Sequence, residues 1–249
     1  MSLRPARSSS ARRPDTSRAR CSESTVAATP DEPVCLSGGP DRHKDTPAGT
    51  ARIPAAAVAD WAPEFVQYVR AFRSSVASAP TEEGRASGSN LLGTLARHPG
   101  LATAFLGFNN HLLRGTSLSP RWRELLVLRV AHRRSSDYEW AQHVLLARKA
   151  GITDAEISLV ADDGGAEPLI PLERSMLAAV DELLDDGAIG SRTWAILSAE
   201  LDEHQLMDLV FTVGAYSTLA MALRSFGIEP EDELLPHLPS ATDGGGVPR

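Results

Sequence analysis

Apolar residues recur at helical spacing from Trp61 to Gly227, and no stretch shows the period of two that marks a half-buried strand. Prolines suited to the first turn of a helix and glycines suited to its end divide this region. Asp137 is expected to cap the helix that stops at Gly151, and Thr153 with Glu156 forms a capping box for the next one. The pattern predicts an all-α fold with helices over 63–76, 90–97, 99–113, 120–131, 138–150 and 203–226, a short helix that the capping box opens, and two further segments at 172–184 and 191–201.

The two ends of the chain lack this pattern. Residues 1–50 are rich in Pro, Ser, Thr, Gly and Arg, and the sequence predicts a disordered leader there. Its first 20 residues resemble an organelle transit peptide in composition, but prolines disfavour the amphipathic helix that import requires, so a plain leader is the other reading. We expect the folded domain at 51–235 and a flexible tail at 236–249.

Two predicted helices are almost wholly apolar. The run from Leu125 to Ala131 indicates a buried helix. The uncharged run from Leu209 to Leu223 is shorter than the roughly 20 residues that cross a bilayer, so a core helix is expected and no membrane association. The predicted helix over 203–226, which contains this run, is apolar on nearly every face. We therefore expect it to pack inside the subunit and against a second copy, although burial in one subunit is the simpler interpretation.

Charge and cysteine content narrow the possible partners. Residues 51–249 carry 17 Lys and Arg against 26 Asp and Glu, which makes nucleic acid an unlikely partner for the folded part. Both cysteines, Cys21 and Cys35, lie in the leader, so no disulfide is expected in the domain. This composition suits a cytoplasmic protein.

Three ionisable residues interrupt the otherwise apolar helical sequence in the middle of the chain: Glu124, Glu139 and His143. Glu139 and His143 are four residues apart, so they share one helix face, where a carboxylate can orient an imidazole. A Glu and His pair at this spacing is often exposed to solvent and has no functional role. Tyr138 and Trp140 flank this pair in a chain with 5% aromatic residues, which favours an apolar pocket containing a few polar groups.

The segments Arg-Trp-Arg-Glu-Leu-Leu-Val-Leu-Arg-Val-Ala, Tyr-Glu-Trp-Ala-Gln-His and Arg-Lys-Ala-Gly-Ile-Thr-Asp-Ala-Glu-Ile, within residues 121–157, resemble the carboxymuconolactone decarboxylase family. A looser similarity extends over 174–227. The resemblance implies an alkylhydroperoxidase-like helical fold, a homo-oligomer that is often a trimer or hexamer, no cofactor, and a small organic acid or lactone as substrate.

The chain departs from the peroxidase branch of that family at both redox cysteines. The branch's Cys-x-x-Cys places hold Ser136 and Glu139 here, whereas its Glu and His places hold Glu124 and His143. Neither a serine nor a glutamate can cycle through a disulfide, so thiol peroxidase activity is not expected. The pattern instead resembles the decarboxylase branch.

We therefore expect Glu124, Glu139 and His143 to be catalytic, with His143 moving a proton to or from carbon. Arg121 or Arg129 would position a substrate carboxylate, and Ser136, Tyr138 and Trp140 would line the pocket. For Arg129, a structural ion pair with Glu124 or with an acid of another helix is the competing interpretation.

Other reactions are compatible with the same residues. A cofactor-free isomerase, dehydratase or lactone hydrolase would use the same proton transfer. A non-catalytic oligomer that binds a ligand would instead leave the pKa values of Glu139 and His143 unshifted. A metal site is disfavoured because Glu139 and His143 supply only two ligands.

Overall fold

A computed structural model describes residues 51–77, 88–162 and 169–238 of the 249-residue chain, with side chains to Ser74 in the first segment. All of these residues belong to one structural unit. The predicted leader at 1–50 and residues 239–249 of the predicted tail lie outside the described residues. Residues 236–238, the start of that tail, end a short 3-10 helix over Asp232–His237.

The described residues form helices and connecting turns, and they contain no strand. The helices are α1 (Pro63–Ala77), α2 (Ser89–Leu95), α3 (Pro99–Asn110), α4 (Pro120–Arg133), α5 (Asp137–Lys149), α6 (Asp154–Ala161), α7 (Pro171–Asp185), α8 (Ser191–Glu200) and α9 (Glu203–Phe226). A 3-10 turn over Val58–Asp60 precedes α1. The all-α prediction is confirmed.

Local sequence signals set most of these boundaries. The Ser119 hydroxyl accepts a hydrogen bond from the Trp122 amide and begins α4, with Pro120 in the first turn. Thr153 and Glu156 form the predicted capping box of α6. Gly227 adopts a left-handed φ of 68° and ends α9 where the pattern placed its end.

Two predicted boundaries were wrong. Asp137 is the first residue of α5 rather than its cap; Ser136 holds the cap position, and its side chain makes no capping hydrogen bond. The helix predicted over 99–113 is regular only to Asn110 and then widens into a π turn over His111–Gly115. Such insertions are frequent at functional sites, and this one ends near the start of α4.

Helix α4 lies at the centre of the fold, where it contacts α5, α6, α7 and α9. Every residue from Glu124 to Ala131 is buried, including Glu124 and Arg129. One core cluster joins α4 and α5 to α7, α8 and α9, and a second joins α4 and α5 to α6 and α7. A third, smaller cluster lies among α1, α2 and α3. The interface of α4 and α5 therefore belongs to the interior.

Candidate functional site

The short link between α4 and α5 sets the geometry of the site. The Ser136 amide donates to the Ala131 carbonyl, and Ser135 takes a left-handed φ of 50°, which is unusual for a residue other than glycine. Residues with such unfavourable backbone angles cluster at ligand sites, where the surrounding structure holds them in place. The tight reversal lays α5 back along α4 and brings Glu124 beside His143, 19 positions later.

Glu124 and His143 form a buried pair. Nδ1 of His143 lies 2.6 Å from Oε2 of Glu124, and the two side chains are 6% and 0% exposed. Burial raises the pKa of Glu124, but His143 and Arg123 outweigh burial and hold this pKa below its usual range. An ionised carboxylate only accepts, so Nδ1 carries the proton and donates it to Glu124. In the neutral form of the imidazole this tautomer places the lone pair on Nε2, and no hydrogen bond to Nε2 is found in the described residues.

Two residues absent from the predicted site complete this pair. The Nε and a terminal nitrogen of Arg123 both lie 3.0 Å from Oε1 of Glu124, and its other terminal nitrogen donates to the Leu113 carbonyl in the π turn. The Tyr216 ring from α9 meets the His143 ring edge-on, with centroids 5.0 Å apart. Spacing rules gave no signal for Arg123 because adjacent helical residues do not usually face each other.

Glu139 lies one turn before His143 and has no such partner. The residue is 1% exposed, and both carboxyl oxygens are buried without a hydrogen-bond partner in the described part of the chain. Burial raises the pKa of Glu139 well above its usual range and thereby favours the neutral carboxylic acid. Ser136, one turn earlier, is also buried, and its hydroxyl is likewise unpartnered.

The two arginines that we expected to bind substrate are occupied elsewhere. Arg121 donates to Glu173 at 2.7 Å and to Glu156 at 2.6 Å, and these hydrogen bonds raise its pKa. Arg129 forms a two-pronged ion pair with Asp181 at 2.7 and 2.8 Å and donates to the Val160 carbonyl. For Arg129 the structure therefore shows the competing interpretation, a structural ion pair with an acidic residue of another helix.

The flanking aromatic residues point away from the Glu139 and His143 pair. The Tyr138 hydroxyl donates to Glu231 at 3.0 Å, and burial, followed by Glu231, raises its pKa. The ring of Trp140 packs near His132 and belongs to the second core cluster. Both aromatic residues therefore serve as core residues in the structure.

Glu124, Glu139 and His143 are buried within the helical packing. Two surface clefts among the described residues lie away from them: one, of about 520 Å³, lies between α7 and α8, and another, of about 550 Å³, lies beside the 3-10 turn at Val58–Asp60. No group of three or more His, Cys, Asp or Glu side chains among the described residues could hold a metal ion.

Comparison with known proteins gives a family-model match in the middle of the chain and a fold. Residues 99–182 match the model of the carboxymuconolactone decarboxylase family, a range that includes α4, α5 and all of the predicted site residues. No curated protein matches the sequence significantly.

Several solved structures share the fold. An alkylhydroperoxidase AhpD core protein, an uncharacterised peroxidase-related protein from Ralstonia eutropha, is 17% identical over 74% of this chain and 94% of its own, with a TM-score of 0.61. An uncharacterised peroxidase-related protein from Silicibacter sp. is 17% identical over 73% and 94%, with a TM-score of 0.59. The debrominase Bmp8 in its apo form is 13% identical over 74% and 95%, with a TM-score of 0.60. At these identities the similarity shows the fold alone, and the alkylhydroperoxidase-like expectation is confirmed.

Proposed function

We propose that this chain, whose residues 99–182 match the model of the carboxymuconolactone decarboxylase family, is a cofactor-free enzyme that moves a proton on a small organic acid or unsaturated lactone. The observation that carries this proposal is the contrast between two buried carboxyl groups. Glu124 is paired with His143 at 2.6 Å, which favours its ionised form, whereas Glu139, one helical turn away from His143, is buried and unpartnered in the described residues, which favours its neutral form. Carboxyl groups with opposed protonation states are what acid–base catalysis needs.

The geometry assigns a role to each group. Nε2 of His143 is the base, because Nδ1 is engaged with Glu124, and the Glu124 carboxylate stabilises the imidazolium that forms. The carboxylic acid of Glu139 is the proton donor. Burial of both groups strengthens their electrostatic interaction with the charge that develops on the substrate.

Decarboxylation of a carboxymuconolactone-type substrate is the reaction that the family suggests. The bond from carbon to the carboxylate breaks, carbon dioxide leaves, and the electron pair spreads into the unsaturated lactone carbonyl. The proton of Glu139 then goes to carbon, so the step needs no oxidant or reductant.

One observation favours a second reaction at the same groups. All four arginines of α4, namely Arg121, Arg123, Arg129 and Arg133, already face carboxylates of this chain. Isomerisation, dehydration or lactone hydrolysis of an uncharged substrate needs no arginine to hold a carboxylate. Thiol peroxidation is outside the proposed chemistry, because Ser136 and Glu139 carry no sulfur.

A ligand-binding oligomer without catalysis is the remaining alternative. It would leave the pKa of Glu139 unshifted, whereas burial raises this pKa well above its usual range. The raised pKa therefore supports the enzymatic proposal.

Substitution of the proposed base and acid tests the assignment. The purified protein is supplied with carboxymuconolactone, and carbon dioxide release is followed together with the loss of substrate absorbance. We expect His143→Ala and Glu139→Gln each to lower kcat by about 100-fold or more, because each removes a group that transfers a proton.

Matched controls are available on the surface. His204 and Glu200 are exposed and lie outside the site, so His204→Ala and Glu200→Gln should keep wild-type rates. Full activity of both site variants would refute the assigned residues. Absence of carbon dioxide release from wild-type protein would remove decarboxylation and leave the second reaction to be assayed by proton exchange.

A further inference from the structure

The unpartnered carboxyl group of Glu139 indicates which ligand the site takes. From the geometry of the site we propose that its ligand is an uncharged carbonyl compound, such as an unsaturated lactone or enone, whose carbonyl oxygen accepts a hydrogen bond from the carboxylic acid of Glu139. This inference rests on the proposed site, and it favours the second proposed reaction, on an uncharged substrate, over the decarboxylation of a carboxylate.

A fully buried polar group without a partner destabilises the folded state, and folded proteins rarely leave one unsatisfied. Glu139 has two such oxygens, and the Ser136 hydroxyl three residues earlier on the same face is a third. These three atoms on one face of α5 have no partner in the described residues, so they are available for hydrogen bonds to a ligand. The ligand must therefore bring polar atoms of its own to this face of α5.

The charges around the site favour a neutral ligand over an anion. Arg123 contacts the same carboxylate as His143, and Glu124 neutralises it at 3.0 Å. Arg134, the C-cap residue of α4, directs its guanidinium to the Ser217 hydroxyl and the Leu184 carbonyl. A substrate carboxylate placed beside Glu139 would be desolvated without an uncommitted cation on α4, which is costly.

A neutral carbonyl compound satisfies both sides of the site. Its carbonyl oxygen accepts a hydrogen bond from the carboxylic acid of Glu139. Nε2 of His143 is the base that removes a proton from a carbon next to the conjugated system. When Nε2 takes that proton, the electron pair moves to the carbonyl oxygen, where the proton of Glu139 stabilises it. No co-reactant is needed for this exchange.

Two small probes of matched shape test the ligand class. Crotonolactone is an uncharged unsaturated five-membered lactone, and furoate is a planar five-membered ring with a carboxylate. Binding of each to the full-length protein at neutral pH is measured by ligand-observed NMR titration. We expect crotonolactone to bind about 10-fold or more tightly than furoate, as the loss of an ion's solvation without a partner predicts.

Two variants separate the hydrogen bond from the shape of the pocket. Glu139→Gln keeps an N–H donor and should retain crotonolactone binding, whereas Glu139→Leu has a similar volume and no donor and should weaken it about 5- to 10-fold. Circular dichroism and thermal melting establish that both variants are folded. Furoate binding as tightly as crotonolactone, full binding by Glu139→Leu, or no binding of either probe would overturn the ligand class.

Exchange of the ring protons of crotonolactone for deuterium, followed by NMR, reports on the proposed proton transfer separately from binding. Exchange that depends on His143 supports both steps. Binding with the expected preference but without exchange would overturn the proton transfer and support the ligand class. Exchange together with tighter binding of furoate than of crotonolactone would support the proton transfer and overturn the ligand class.

Discussion

Two carboxyl groups at the α4–α5 interface show how strongly the immediate neighbours decide protonation. Glu124 and Glu139 are equally buried, and burial alone raises the pKa of either. His143 and Arg123 reverse the direction for Glu124, whereas nothing in the described residues does so for Glu139. The difference lies in which side chains the helix packing brings within 3 Å, not in residue type.

The raised pKa of Glu139 makes stability depend on pH. Below the ordinary glutamate pKa of about 4.5, both the folded and the unfolded chain keep this proton, and its contribution to stability is fully present. As the pH rises above that value, the unfolded chain loses the proton first, so the folded state loses about 1.4 kcal/mol per pH unit until the pH passes the folded pKa. We expect Glu139→Gln, which does not titrate, to gain in melting temperature relative to wild type between pH 5 and neutral pH.

Thermal melts across this pH window, monitored by circular dichroism, measure that difference. Glu200→Gln removes an exposed glutamate and should follow the wild-type pH profile. Parallel profiles for wild type and Glu139→Gln would mean that Glu139 is ionised in the folded protein and would remove its role as the acid.

At the scale of elements, α4 has two different faces. Glu124 points to α5 and the site, whereas Arg129 and Arg133 point to α7, where they meet Asp181 and Asp185. Arg129 also donates to the Val160 carbonyl at the end of α6. It therefore ties three helices together, and its burial requires those partners.

Removal of Arg129 should cost stability. The guanidinium is 5% exposed and Asp181 is 26% exposed, so Arg129→Met strands a partly buried carboxylate and the Val160 carbonyl. We expect the free energy of unfolding in a urea titration to fall by about 3 kcal/mol. Arg148→Met breaks a pair with Asp154 whose members are 43% and 74% exposed, and should cost about 1 kcal/mol or less. Equal losses for the two variants would show that burial does not decide the strength of the α4–α7 pair.

The helices could be read from the sequence because their signals are local. Proline and serine at the start of α4, the capping box of α6 and Gly227 after α9 each act within a few residues. The π turn after Asn110 has no such signal. It is stabilised by distant contacts, since Asp208 of α9 binds both His111 and the Ser117 amide.

The candidate site was only partly predictable for the same reason. Glu124 and His143 could be named, and their contact follows from the reversal between α4 and α5. The occupation of Arg121 and Arg129 by Glu173 and Asp181 depends on α7, 52 residues along the chain. Tyr216 reaches His143 from α9, and only tertiary packing could reveal that contact.

At the scale of the whole molecule, α9 has the length and composition of a membrane span, with 24 residues and a mean hydropathy of 1.6 over an 18-residue window. Most of its apolar window, 61%, is buried inside the fold, as in a core helix. One apolar stripe stays uncovered in the described structure, where Met207, Phe211 and Met221 are 53–58% exposed. Phe108 of α3 extends the stripe by packing edge-on against Phe211.

An exposed stripe of this kind on one helix face is typical of an interface between subunits. We propose that a second copy of the chain covers it, in a homo-oligomer of the trimeric or hexameric kind expected from the sequence. Phe211→Glu places a charge at the centre of the stripe, where it would be buried without a partner in the assembly, and should shift the protein to monomers. Size-exclusion chromatography with light scattering measures the mass.

The matched control removes an equally exposed apolar residue from another surface. Ile170, before α7, is 52% exposed, and Ile170→Lys should keep the wild-type mass. If Phe211→Glu remains assembled and Ile170→Lys dissociates, the subunits meet at the α7 side and the α9 stripe has another role. A wild-type protein that is monomeric at micromolar concentration would contradict the assembly itself.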